Sequence, residues 1–181
     1  LLNRTRWVGL QALVQQSGLA GKEIRAGHVG FILGPRLNAV GRIDEPMEGL
    51  RLLLTDDPGE AGALAGKLEQ LNDQRQELDQ RILKEALQQV EEQGGHSASA
   101  FVLSSDDGWH AGVVGIVASR VVERYGRPAF LVAVDRESGV GRGSGRSISA
   151  FDLHGALHGV GDLLERFGGH RMAAGLTMHR D

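Results

Sequence analysis

Cysteine is absent from this chain of 181 residues, and aromatic residues make up only 4% of it. The lack of cysteine excludes disulfides, thiolate nucleophiles, zinc ribbons and iron–sulfur clusters. With so few aromatic side chains, any contact with a nucleic acid must depend on charge and backbone more than on stacking. No apolar run approaches the roughly 20 residues that a membrane span requires, and no signal-peptide pattern is visible. The remaining composition is typical of a globular protein.

Several nucleotide-binding and catalytic motifs are also missing. The chain has neither a G-x-x-x-x-G-K-[ST] loop nor a G-x-G-x-x-G turn between a strand and a helix, so neither ATP nor NAD is indicated. A G-x-S-x-G nucleophile motif is absent as well. The acidic pairs Asp56-Asp57 and Asp106-Asp107 are isolated in predicted turns, and no dense group of Asp and His resembles a two-metal site. The residues alone therefore indicate a phosphate-binding module rather than a complete catalytic centre.

The net charge of −3 conceals a strong asymmetry along the chain. Residues 1–42 carry six basic residues and one acidic residue, whereas residues 56–93 carry ten acidic and four basic residues. A polyanion responds to local charge rather than to the average over the chain. The overall isoelectric point thus says little about binding partners.

Glycine is abundant, with 27 residues, which is roughly twice its usual share of about 7%. In the segment 139–148 it occupies every second position up to Gly145, with Arg142, Ser144 and Arg146 between. In an extended strand these three side chains share one face, and the other face is bare backbone. Strand glycines cost entropy, so we expect close approach of another backbone or a ligand there. The Arg and Ser face suits a phosphate; the alternative is a flexible, solvated loop.

The first half of the chain is predicted to be mainly helical. Apolar spacing predicts helices over 5–18 and 47–54, whereas 28–33 fits either a short strand or the start of a helix. Arg36, Asn38 and Arg42 are expected in a basic loop, where Arg42 either binds a phosphate or pairs with a nearby acid. From Gly59 to about Gln93 the pattern predicts one long, acidic, solvated spacer helix; a dimeric coiled coil is the alternative.

The second half of the chain alternates strand and helix patterns. Strands are predicted at 100–103, 129–134, 139–148 and 173–178, and a helix at 112–125 with a stop at Gly126. Two short helical stretches are expected around 151–158 and 161–166. This alternation predicts an α/β domain.

Two histidines lie beside glycines in this half. His110 immediately precedes the helix predicted from Gly112, and a helix N-terminus attracts anions, so His110 either donates to a phosphate, acts as an acid or caps the helix. His170 follows Gly168 and Gly169 in a predicted turn whose backbone is accessible. Together with the Arg and Ser face, these histidines favour an anion pocket.

Four stretches together resemble the DHH phosphoesterases, and among them the RecJ-like single-strand-specific exonucleases. Each is weak alone, but the four in this order, joined by a long helix, are specific and cover nearly the whole chain. Other DHH relatives, such as oligoribonucleases and cyclic-dinucleotide phosphodiesterases, match less well. The stretches are LNAVGRID from Leu37, GWHAGVVGIVASR from Gly108, GSGRS from Gly143, and RFGGH from Arg166 followed by AAG from Ala173.

The resemblance implies an α/β protein in three segments. Residues 1–57 would be the C-terminal, helical part of a DHH catalytic domain, 58–93 a connecting helix, and 94–181 a truncated DHH-associated substrate-binding domain with a mixed sheet. A start at Leu1 and a stop at Asp181 fit the expectation of an excised fragment.

By the same resemblance, the intact protein would hydrolyse phosphodiesters with Mn²⁺ or Mg²⁺. The family's metal ligands lie in Asp-rich and Asp-His-His motifs of an N-terminal domain, which this sequence lacks, so we expect the chain alone to be inactive. The intact protein would remove nucleotides from a 5′ end of single-stranded DNA in repair and recombination, in the bacterial cytosol and without a membrane. Protein partners cannot be read from the sequence.

The family pattern also assigns binding residues. Asn38 and Arg42 would face the scissile phosphate or 5′ end. The opposing wall would hold the phosphates of the strand, and Arg142 is a further candidate for this wall. The other residues of the wall would be His110, Ser144, Arg146, Ser147, Gly168, Gly169 and His170. The alternatives are a stand-alone phosphate- or nucleotide-binding module, a DHH phosphodiesterase that acts on short oligonucleotides, and a structural interaction domain.

Overall fold

Helices alone build the first half of the chain. The computed structural model describes residues 2–180 and divides into two units, of which the first ends at Glu77 and the second begins at Leu78. The predicted helices over 5–18 and 47–54 are confirmed, and the segment from His28 is helical. The helices of this unit are α1 (Val8–Gln16), α2 (Ala26–His28), a π-helical turn (Val29–Leu33), α3 (Gly34–Ile43), α4 (Met47–Leu54) and the first part of α5 (Pro58–Glu92).

The long helix α5 is confirmed, but it is not a solvated spacer. Leu64 and Leu68 are buried in the core of the first unit, together with Leu13 and Leu52. Farther along α5, Ile82 is fully buried, as are Ala86 and Val90, in the second unit. Because each half of the helix belongs to a core, the apolar seam that resembles a coiled coil is already covered within the units.

The second unit contains a five-stranded mixed sheet, which confirms the predicted fold class. The strand order is β1-β2-β3-β5-β4; β1 and β2 are parallel, and every other neighbouring pair is antiparallel. The last residues of the predicted third segment include Asp181, which lies outside the described residues. The elements are β1 (Phe101–Ser105), α6 (Ala111–Tyr125), β2 (Ala129–Val134), β3 (Val140–Arg146), α7 (Leu153–His158), β4 (Arg166–His170) and β5 (Ala173–His179).

Helices α6 and α7 lie on opposite faces of the sheet. Helix α6 packs on β2 and β3, and we call that side the α6 face. On the other side, the α7 face, Leu153 and Leu157 of α7 pack with Phe130 and Val132 of β2. Helix α6 ends at Gly126, whose φ of 64° is a left-handed conformation that glycine adopts without strain.

The carboxyl-terminal part of α5 covers the free edge of the sheet. The side-chain amide of Gln89 pairs with both the backbone N–H and the carbonyl of Ser104 in β1, and Gln93 donates to the carbonyl of Val102. An uncovered edge strand would expose unpaired backbone groups. These glutamines therefore close one side of the sheet and leave β4 as the opposite edge.

Candidate nucleic-acid interface

Strand β3 carries the glycine-rich segment, and its glycines serve packing on the α7 face. A Cβ atom on Gly145 would lie 2.4 Å from two ring carbons of Phe130, and one on Gly143 would lie 3.0 Å from the side chain of Leu176. The prediction that a backbone or a ligand approaches these glycines is therefore wrong. Hydrophobic side chains from β2, β5 and α7 occupy the space instead.

The opposite side of β3 faces α6 and carries the polar side chains, as the alternation predicts. Directly paired residues of antiparallel strands project to the same face. The register therefore sets three rows across β3, β5 and β4, and we call the surface that they form the trough. The rows are Arg142–Thr177–Arg166, Ser144–Gly175–Gly168 and Arg146–Ala173–His170.

Arg146 and Ser144 are the most closely organised pair in the trough. One terminal nitrogen of the half-buried Arg146 donates to Ser144 Oγ at 3.0 Å and to the carbonyl of Gly145 at 2.8 Å. Both side chains fit under α6 because Gly115 has no side chain: a Cβ there would lie 2.8 Å from Ser144 Oγ and 3.1 Å from Arg146 Nη2. A guanidinium and a hydroxyl are thus held together near the first turns of α6.

His110 caps the amino-terminal end of α6. Its Nδ1 accepts a hydrogen bond from the backbone N–H of Gly112 at 3.1 Å. This bond requires an unprotonated Nδ1, so in the neutral ring Nε2 is the nitrogen that carries hydrogen and donates. The capping alternative is therefore confirmed, and Nε2 remains the atom with which His110 can donate to an anion.

The loop before α6 is fixed from α5. Arg81 donates to the carbonyl of Gly108 at 2.5 Å, and the indole Nε1 of Trp109 donates to Glu85 at 2.6 Å. Trp109 is buried, with 7% of its surface exposed. His110 directly follows this anchored residue, so the long helix α5 holds the cap in place.

The Gly-Gly-His segment lies on strand β4 and not in a turn, which corrects the predicted local structure. Gly169 has a φ of 141°, and a Cβ there would lie 2.5 Å from the carbonyl oxygen of Ala173, so it is required by the hairpin. Gly168 differs, because a Cβ there would meet no atom within 4 Å. His170 is exposed at the end of the third row of the trough.

Ser147 differs from these residues, because its hydrogen bonds go to backbone carbonyl groups. It is buried, its hydroxyl donates to the carbonyl of Phe151 at 2.9 Å, and its backbone N–H donates to the carbonyl of Met172. Its hydroxyl therefore holds the chain after β3.

In the first unit, Asn38 and Arg42 lie on helix α3, so the predicted basic loop is wrong. They are four residues apart on one side of the helix, and both are exposed. Arg36 points elsewhere and forms a two-pronged ion pair with Glu69, including a contact of 2.7 Å. Asp44 is bound by Lys67 at 2.8 Å, and that hydrogen bond lowers the pKa of the Asp44 carboxyl.

Sequence reasoning did not identify Arg166 or Thr177 as part of this surface. Arg166 and Thr177 join Arg142 only through the pairing of β3, β5 and β4, which no local pattern reveals. Gly115 gives a weak signal, because a glycine inside a helix usually has a packing or functional reason.

The described part of the chain, residues 2–180, contains no group of three or more His, Asp or Glu side chains placed to hold a metal ion. Over the same residues, no helix is long and apolar enough to cross a membrane.

Comparison with known proteins gives a family match within the second unit. The sequence pattern of the DHHA1 domain matches residues 97–181. Two proteins described as "Single-stranded-DNA-specific exonuclease RecJ" are each 44% identical: that of Bacillus subtilis over 98% of this chain and that of Thermus thermophilus over 95%. The chain spans 22% and 24% of their respective lengths.

Solved structures agree with the sequence matches. The crystal structure of RecJ in complex with Mg²⁺ from Thermus thermophilus is 42% identical, with a TM-score of 0.84 over 98% of this chain and 26% of that chain. A crystal structure of exonuclease RecJ bound to manganese gives 43% identity and a TM-score of 0.81, covering 95% of this chain and 41% of the other.

Proposed function

Residues 97–181 form a DHHA1 domain within a chain that is similar to RecJ over nearly its whole length, and from that premise we propose that the chain is the substrate-binding part of a metal-dependent exonuclease. The intact protein removes nucleotides from the 5′ end of single-stranded DNA. Its role is in DNA repair and recombination in the bacterial cytoplasm.

The observation that carries this proposal is the Arg146–Ser144 pair. The guanidinium supplies forked, permanently charged donors and the hydroxyl a further donor, which is the combination that binds phosphate oxygens. Helix α6, together with the space left by the missing side chain of Gly115, fixes the Arg146 and Ser144 side chains before any ligand arrives. A phosphate bound there is close to the first turns of α6, whose backbone N–H groups favour a negative charge.

The neighbouring residues complete the phosphate contacts. His110 donates from Nε2 at the start of α6, and His170 lies at the far side of the row that contains Arg146. Gly168 keeps the surface between them flat. In the first unit, exposed Asn38 and Arg42 on α3 bind phosphate oxygens as a second, separate group.

The metal ions of the reaction are held outside this chain. The described residues do not fit a two-metal site, because they bring no three ligand side chains together. We assign Mn²⁺ or Mg²⁺ to residues of the intact protein that are absent from this sequence. This chain binds and orients the strand, and contact through phosphates gives little preference for base sequence.

The test is binding of a 5′-phosphorylated single strand by the intact protein, with EDTA present to prevent hydrolysis. Arg146→Ala should weaken binding by about 1–3 kcal/mol, the range for loss of charge-assisted hydrogen bonds. Arg146→Lys should recover only part of this loss, because an ammonium cannot form the forked contact. The matched control is Arg127→Ala, since Arg127 donates to the carbonyl of Ala98 outside the trough.

The strand should bind more tightly with a 5′-phosphate than with a 5′-hydroxyl, and binding should weaken steeply as salt rises. Unchanged affinity in Arg146→Ala would refute the assigned role of this residue. An equal loss of affinity in Arg127→Ala and Arg146→Ala would mean that the loss of any positive charge weakens binding, and not the loss of a specific contact.

A further inference from the structure

A pair of arginines lies in the trough, in the row Arg142–Thr177–Arg166. Arg142 and Arg166 are exposed and project to the same face from strands that flank β5. With neighbouring strands about 4.8 Å apart, their backbones are separated by about 10 Å. Arg166 Nε donates to Thr177 Oγ1 at 3.3 Å, which places a hydroxyl between the two guanidiniums.

Neither arginine is neutralised within the described residues. No carboxylate among residues 2–180 forms an ion pair with Arg142 or with Arg166. Arg142 lowers the pKa of the Asp135 carboxyl, but the hydrogen bonds from Ser138 lower it more. That carboxylate is occupied in its own loop, at 2.7 Å from both the N–H and the hydroxyl of Ser138.

A cavity of about 480 Å³ opens beside this row. It is lined by both arginines and Thr177, by Ala111 at the start of α6, and by the backbone of Gly168 and Gly175, among others. Because no atom of the described residues 2–180 would lie within 4 Å of a Cβ on Gly168, packing does not explain the bare backbone there. A ligand that crosses the trough from one row to the next needs this gap.

We propose that Arg142, Thr177 and Arg166 form a second phosphate subsite, which takes an internucleotide phosphate of the same strand whose terminal phosphate lies on Arg146 and Ser144. Two guanidiniums with a hydroxyl between them match a phosphodiester, because its charged oxygens accept hydrogen bonds from donors on both sides. The subsites are four residues apart along β3, or about 13 Å. This inference rests on the proposed function and adds to it a minimum substrate length.

A ligand series separates the two subsites in the intact protein with EDTA. The probes are a 5′-mononucleotide, the 5′-phosphorylated dinucleotide and trinucleotide, and a 5′-phosphorylated 12-mer. In the unmodified protein, affinity should rise by about tenfold at the dinucleotide or the trinucleotide, when the second phosphate contact forms. Arg166→Gln and Arg142→Gln should remove that rise and leave mononucleotide binding unchanged.

The salt dependence supplies an independent readout. Each phosphate contact to a single strand contributes about 0.7 to the slope of log affinity against log salt. Arg166→Gln should therefore lower the slope for the 12-mer by about 0.7 and leave the slope for the mononucleotide unchanged. Arg127→Gln, which removes an equal charge on the β1 side of the sheet, should change neither measurement.

Failure of this inference is distinguishable from failure of the proposed function. If no probe binds, or if Arg146→Ala has no effect, the proposed function is wrong. If the 12-mer binds and Arg146→Ala weakens it, while Arg142→Gln and Arg166→Gln keep the full rise with length, the second subsite is wrong. A loss of mononucleotide binding in Arg166→Gln would also overturn it, since the two rows would then form one site.

Discussion

The two faces of β3 differ in what surrounds them, although the same seven-residue strand supplies both. On the α7 face, apolar side chains lie close above Gly141, Gly143 and Gly145, and a Cβ on Gly145 would overlap the ring of Phe130. On the α6 face, Arg142 and Arg146 extend over a surface on which Gly168 has open space above it. Glycine on the first face serves packing, whereas Gly168 on the second face leaves open space above the strand.

This difference shows that glycine content alone does not locate a binding surface. In the sequence Gly145 and Gly168 look equivalent, since both lie in Gly-rich stretches that also contain arginine. The cost of adding one methyl group distinguishes them, because the methyl group meets Phe130 in one case and nothing in the other.

The largest expected effect comes from Gly145→Ala. Its Cβ would lie 2.4 Å from the Phe130 ring and 2.8 Å from Leu153, so the free energy of unfolding should fall by about 2–3 kcal/mol. Urea denaturation followed by circular dichroism measures this loss. Adding Phe130→Leu should restore part of it by vacating the ring position, and a stable Gly145→Ala protein would contradict the packing account of the α7 face.

Gly168→Ala is the matched control for the opposite face. A methyl group there meets no atom of the described residues. The free energy of unfolding should therefore stay equal or rise by about 0.4–1 kcal/mol, because alanine lowers the conformational entropy of the unfolded chain. Gly168→Leu should also fold, yet it should weaken binding of the 12-mer, because the larger side chain fills the trough. Normal binding by Gly168→Leu would show that the strand does not cross this point.

A smaller effect is expected from Gly115→Ala, which acts on the α6 face alone. The added Cβ displaces Ser144 Oγ and the end of the Arg146 side chain, both of which can move. Alanine also favours a helix by about 0.8–1.0 kcal/mol over glycine, so stability should change little. Affinity for the 5′-phosphorylated strand should fall several-fold, and a large loss of stability with normal binding would refute this division of roles.

The smallest effect concerns an ion pair at the end of β5. Arg180, which follows β5, donates to Asp106 at 2.6 Å, and this bond lowers the pKa of the Asp106 carboxyl. Because the folded-state pKa is below the ordinary value of 3.8, the stabilisation is present above that pH and is lost as pH falls through the lowered pKa.

Arg180→Ala should therefore be slightly less stable than the unmodified protein at about pH 6, and the difference should shrink towards about pH 2. Urea midpoints at the two pH values measure it. Binding of the 5′-phosphorylated strand near neutral pH should stay normal. A difference that grows as pH falls would show that Asp106 is not the partner that matters.

Local patterns predicted the second unit well. The apolar run Ala129–Val134 and the glycine stop at Gly126 identify β2 and the end of α6, because each signal depends only on neighbours in sequence. The basic segment around Asn38 was mistaken for a loop, since Gly34, Pro35 and Gly41 suggest breaks, whereas the core of the first unit keeps it helical by burying Ala39 and Val40.

The trough could be predicted only in part. Periodicity correctly placed Arg142, Ser144 and Arg146 on one face of a strand. Arg166 and Thr177 could not be added, because the register that brings them beside Arg142 joins three strands that are not all consecutive in sequence. The different roles of Gly168 and Gly169 become visible only in the structure, through the open space above Gly168 and the positive φ of Gly169.

The anchored indole of Trp109 gives this protein an internal optical probe. The chain has two tryptophans; Trp7, in the first unit, is 62% exposed, whereas Trp109 is buried and bonded to Glu85 one residue before the cap of α6. Indole emission shifts with the polarity of its surroundings, and Trp7→Phe leaves Trp109, beside His110, as the single tryptophan of this chain. Its emission would report arrival of a strand at the start of α6 in real time, without a label on the protein or the DNA.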